Sequence, residues 1–207
     1  MAFLHSPPCA GTPAPGPRAH LRRLLPALFL AVVCVWVVPV ASGAEGRFEV
    51  RSAETALIDG VYYLDARVQY RLSADALDAL EAGVALTLEL QIEVNRQRRL
   101  LPDQNVAQLT QAYRLQYHAL SDRFVVRNLN TGEQESFATL FAALNQLGRI
   151  VDLPLIDAAL LDDGARYRAR MRAVLDTRAF PGPLRLLVFW ADGWRIESDW
   201  YSWRLER

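Results

Sequence analysis

The chain has 207 residues, 52% of them hydrophobic, and its 23 basic and 23 acidic residues balance to a formal net charge of zero. There is no basic excess to draw it onto nucleic acid or anionic lipid, so nucleic-acid-binding classes that rely on charge are excluded. Every basic residue is arginine, which fits a GC-rich coding bias better than a function.

Residues 1–23 are rich in Pro and Gly, lack acidic residues and end in Arg18, His20, Arg22 and Arg23. An apolar run from Leu24 to Val40 follows, then the small residues Ala41, Ser42, Gly43 and Ala44. That order is the order of a secretory signal peptide, with cleavage after Gly43 or Ala44. The alternative is an uncleaved inner-membrane anchor, for which this run, interrupted by Pro26 and Pro39, is short. Both readings put residues 45–207 in the periplasm as a single exported β-rich domain, touching the membrane only through the N-terminal segment if that is retained. Arg22-Arg23 lacks the polar residue that precedes a twin-arginine pair. Cys34 follows Ala31, Val32 and Val33, without the small residue directly ahead that lipidation needs.

Both cysteines, Cys9 and Cys34, fall in the leader, so the exported part is expected to have no disulfide. A domain of about 160 residues buries close to 70% of its unfolded surface without such staples. Three of the 23 arginines also fall there, leaving 20 against 23 acidic residues.

Arg47 to Ala53 alternates Phe48 and Val50 with charges and reads as a short strand. Tyr62 to Leu72 alternates over its whole length, and Asp59-Gly60 between the two is a turn dipeptide, which predicts a hairpin. Ser73 to Gly83 breaks the alternation with helix formers, Ser73 serving as N-cap and Gly83 as the stop. The chain is then organised around Gly83 to Arg99, where Leu86, Leu88, Leu90, Ile92 and Val94 alternate with Thr87, Glu89, Gln91 and Glu93. Such a period places one set on a dry face and the other on a wet face of an antiparallel sheet. After a turn at Pro102-Asp103, Leu109 to Ala119 resumes as a strand with Tyr113, Leu115, Tyr117 and Ala119 inward. Ser121-Asp122 turns into a strand from Phe124 to Leu129, and Asn130-Thr131-Gly132 forms a loop.

Phe137, Leu140, Phe141, Leu144 and Leu147 recur at helical spacing behind Ser136, up to Gly148. Ile150 to Gly164 reads as irregular. Tyr167, Ala169, Met171, Ala173 and Leu175 then alternate with Arg166, Arg168, Arg170 and Arg172 in another strand. Pro181-Gly182-Pro183 breaks the chain, Leu184 to Trp190 is assigned as a strand, and Ala191-Asp192-Gly193 turns into a final strand from Trp194 to Leu205. About eight strands and one or two short helices predict an antiparallel β-sandwich, immunoglobulin-like in general architecture, with the Phe137 helix over one edge or end. The competing arrangement is one curved sheet wrapped around that helix.

Arg166, Arg168, Arg170 and Arg172 are candidate binding residues, a ladder able to hold an anionic ligand or acidic partner. The plainer reading, preferred here, pairs them with Glu89 and Glu93 on a neighbouring strand. Along the last strand Trp194, Ile196 and Trp200 are assigned to the core. Tyr201 and Trp203 are then candidates for an exposed stacking platform. A bulge near Ser202 that turns Trp203 inward is the preferred alternative.

No residue pattern for catalysis, a metal or a cofactor occurs. Asn128 to Glu133 lacks the calcium-loop spacing, and His118, the one histidine beyond the leader, stands on the polar side of its strand without a partner of catalytic type. Three readings follow: a non-enzymatic envelope protein that binds an envelope or membrane protein, a periplasmic small-ligand carrier, or a hydrolase with an Asp/Glu pair. The first is preferred.

The stretches L-T-L-E-L-Q-I-E-V, Y-R-L-Q-Y-H-A-L-S-D-R-F-V-V, F-A-T-L-F-A-A-L and W-R-I-E-S-D-W-Y-S-W together resemble a family of exported proteobacterial proteins known as domain of unknown function 4390. The resemblance covers the chain from about Phe48 to its end and rests on pattern, not on a catalytic motif. It implies no activity; relatives encoded beside a membrane sensor kinase and an rRNA methyltransferase would imply an envelope role.

Overall fold

The computed structural model describes residues 45–177 and 194–206. The leader, the strand expected at 184–190 and the turn expected at 191–193 lie outside the described residues. The chain divides into two units, Met1–Ala41 and Ser42–Arg207, and everything below concerns the second.

Nine strands are described, in two antiparallel sheets that pack as a sandwich. The smaller sheet has the order β1-β2-β7, with β1 Arg47–Ile58, β2 Val61–Arg71 and β7 Arg149–Asp157. The larger has the order β6-β5-β4-β3-β8-β9. Its members are β3 Leu86–Arg96, β4 Gln104–His118, β5 Arg123–Asn128, β6 Gln134–Phe137, β8 Tyr167–Leu175 and β9 Tyr201–Arg204.

The alternating stretch of β3 lies between β4 and β8. Leu86, Leu88, Leu90, Ile92 and Val94 are fully buried, whereas Glu89, Gln91 and Glu93 on the opposite face are half-buried. Facing them across the core, β2 contributes Tyr62, Leu64, Ala66, Val68 and Tyr70. Burying a side chain the size of Val, Leu or Ile is worth about 1.5–3 kcal/mol, so these two strands are a major source of the sandwich's cohesion.

Asp59 and Gly60 both take positive φ, 49° and 83°, which gives the β1–β2 hairpin a primed turn whose twist matches the strands. β1 runs five residues beyond the expected Ala53. The register shifts between Val50 and Ser52, and this bulge moves the buried positions from Val50 to Ala53, breaking the strand's alternation.

Helix α1, Ala74–Glu81, starts at Ser73, whose hydroxyl accepts from Ala76 N at 3.2 Å. It ends with Gly83 N donating to Leu80 O and Val84 N to Ala79 O, a Schellman closure with Gly83 at φ 87°. Helix α2, Leu140–Leu147, is shorter than expected and its N-cap is Thr139, not Ser136. Ser136 and Phe137 instead belong to β6, and Phe141, expected on the packed face, is 80% exposed.

The segment read as irregular contains β7. Pro154 and two register shifts against β2 hide its periodicity, yet Ile150 and Ile156 are buried. Proline is tolerated because β7 is an edge strand. A short 3-10 turn, Ala158–Leu160, leads on towards β8.

Candidate functional site on the outer face of the larger sheet

β8 pairs with β3, so the ladder finds its neighbour. Arg170 donates from Nε to Glu93 Oε2 at 2.8 Å and from Nη2 to the same oxygen at 2.6 Å. Arg172 Nε donates to Gln91 Oε1 at 2.9 Å, and its Nη1 lies 3.3 Å from Glu197 Oε2. Gln91 in turn donates to Glu89 at 3.1 Å. Two of the four arginines are thus tied into a half-buried polar network. Arg168 is exposed and its side chain forms no ion pair or hydrogen bond among the described residues. Arg166 precedes β8; its carbonyl accepts from Gln97 N at 2.8 Å.

The aromatic segment departs from the expected faces. Glu197 bridges Val174, but Tyr201 pairs with Met171 and Trp203 with Ala169, a slip of one residue between Glu197 and Tyr201. Ile196 stays in the core at 4% exposure. Beyond the slip, Tyr201 and Trp203 pack against core residues, and Trp203 Nε1 donates to Thr55 Oγ1 of the opposite sheet at 3.3 Å. Trp200, assigned to the core from the alternation, is the residue the slip places on the arginine side. The guanidinium carbons of Arg170 and Arg172 lie 4.4 and 4.8 Å from its ring centroid, within cation–π range.

Beside this stack is a cleft of about 260 Å³ lined by Asn95, Asp103, Arg168, Arg170, Trp200 and Ser202. Its floor is the outer face of three adjacent strands, since Asn95 pairs with Arg168 and Arg168 with Arg204. From the sequence, Trp200 is assigned to the core and Asp103 to a turn, neither as a site residue, and neither Asn95 nor Arg204 is marked. Counting outward from a register slip would have found Trp200, but nothing local marks the slip. A second cleft, about 220 Å³, lies on the other side of Trp200 against Arg47–Val50 of β1.

Among the described residues no group of three or more His, Cys, Asp or Glu is placed to hold a metal ion, and no helix is long and apolar enough to cross a membrane. His118 is exposed at the β4–β5 turn, paired in register with Arg123.

Residues 45–204 match the family described as Domain of unknown function (DUF4390). The chain belongs to this family. The match spans both sheets, both helices and every residue of the cleft, so the candidate site is part of the family domain and not an appendage to it. No curated protein and no solved structure matches the chain.

Proposed function

We propose that this chain is a non-enzymatic accessory protein of the cell envelope that binds another protein through the outer face of its larger sheet. The observation that carries the reading is the Trp200 cleft, an aromatic wall and an arginine, Arg168, without a side-chain partner among the described residues, on a half-exposed polar face. Aromatic and arginine side chains are the ones that anchor protein interfaces. A carrier would need room between the sheets, but the inward residues of β3 are fully buried against those of β2. The leader pattern of residues 1–44 supports export, as does the start of the family domain at residue 45, just beyond the small residues. The partner is an envelope or membrane protein, such as the exported part of a membrane sensor.

Crosslinking in intact cells, followed by recovery of the chain from membrane and soluble fractions, tests this. A discrete envelope protein is expected in the adduct; recovery of the chain without any envelope or membrane partner would count against it.

A further inference from the structure

We infer that the row Asn95, Arg168 and Arg204, whose first two residues line the Trp200 cleft and whose third pairs with Arg168 on β9, is a carboxylate-binding site for an acidic side chain on an extended peptide segment of the partner. This rests on the protein-binding reading and gives it a chemistry. On β8 the arginines differ in what they already hold: Arg170 has Glu93, and Arg172 has Gln91 and Glu197. Arg168 has no such partner, and the residue directly across from it on β9 is Arg204, also exposed and with no side-chain partner among the described residues. Like charges directly opposite on a sheet face repel. A carboxylate seated between the two guanidiniums removes that repulsion and accepts charge-assisted bonds from both.

Two further groups favour a peptide over a bare anion. Asp103, which also lines the cleft, accepts among the described residues only a long bond of 3.4 Å from Arg98 N and repels a second anion while welcoming an N–H donor. Asn95 donates and accepts on the same row. An acidic residue supplies both, its side-chain carboxylate for the arginines and its backbone amide for Asp103. Trp200 stands beside them, held in place by Arg170 and Arg172, and offers a surface for the neighbouring residue of the peptide.

Isothermal titration of the full chain in neutral detergent with an acetylated, amidated tetraglutamate peptide tests the site. Saturable one-to-one binding is expected, weakening at higher salt as exposed charge contacts do. Arg168→Gln and Arg204→Gln should each weaken it roughly tenfold, the loss of about 1.4 kcal/mol expected of one charge-assisted contact. A tetralysine peptide should not bind. No saturable binding, or binding indifferent to both substitutions, overturns the inference, and so does acetate or inorganic phosphate binding as tightly as the peptide. If the doubly substituted chain still crosslinks the partner in cells as the unaltered chain does, this site falls while the protein-binding reading stands. If the unaltered chain crosslinks no partner, that reading falls, and the peptide titration judges the site by itself.

Discussion

Tyr70 is buried at 7% exposure, edge-on to Phe48 at 4.9 Å, and its hydroxyl has no hydrogen-bond partner among the described residues. Burial, with a smaller contribution from Tyr113, pushes the hydroxyl's pKa well above the ordinary tyrosine value. An unmade hydrogen bond in the core costs about 1–3 kcal/mol, so Tyr70→Phe should leave urea stability unchanged or raise it. The unfolded chain ionises this tyrosine near pH 10 and the folded chain does not, so its contribution is intact below pH 10 and is lost as pH rises beyond it. Unfolding free energies between about pH 10 and 12 should fall more gently in Tyr70→Phe, by about 1.4 kcal/mol per pH unit; identical slopes would contradict the burial of this hydroxyl.

The two neighbouring tryptophans differ in what they pack against. Trp203 packs on both core clusters and bonds to Thr55 across the sandwich, whereas Trp200 lies under two arginines on the outer face. Trp203→Ala is therefore expected to cost about 2–4 kcal/mol, and Trp200→Ala no more than about 1.5 kcal/mol, the scale of two cation–π contacts. Equal losses in chemical denaturation would mean that the register slip is misplaced.

At the scale of elements, the junction between α2 and β7 is held by close backbone approach. Gly148 O accepts from Val68 N at 2.8 Å, and a Cβ at Gly148 would run into the carbonyl oxygen of Val68. The φ of this residue is an ordinary −78°, so alanine would improve helix propensity and still be excluded by space. Gly148→Ala should lower stability by about 1–3 kcal/mol, measured by urea unfolding; a neutral result would show that the β2 backbone yields. Elements of this kind also mark how far the sequence is legible. β2, β3 and β8 could be read directly because each buries one face along its whole length, and burial imposes the period of two. β7 and the second half of β1 could not, since bulges at Tyr62/Tyr63 and at Arg51 shift the parity mid-strand. The start of α2 was misplaced for a different reason: Ser136 and Thr139 are both competent caps, and only the pairing of Ser136 with Val125 in the sheet decides between them. For the site, charge alternation points to Glu89 and Glu93 as the ladder's partners; Glu93 meets Arg170, while Arg172 bonds to Gln91 and Glu197. Trp200 and Arg204 were not legible, because their face depends on a slip that no turn residue announces.

For the whole molecule, the family domain begins at residue 45, where the leader pattern would end. Export with cleavage predicts a mature chain whose N-terminus is Ala44 or Glu45, read by sequencing the protein recovered from the periplasmic fraction. Recovery of the intact N-terminus from the membrane fraction would instead identify the anchored form. In either form, contact with the partner is expected through one face. It is tested most directly by placing a photo-crosslinking residue at Ser202, on the floor of the cleft, and separately at Leu120, a fully exposed residue of the β4–β5 turn. Irradiation of intact cells should give a discrete protein adduct from position 202 and none from position 120. Adducts from both positions alike, or from neither, would contradict a binding role for the outer face of the larger sheet.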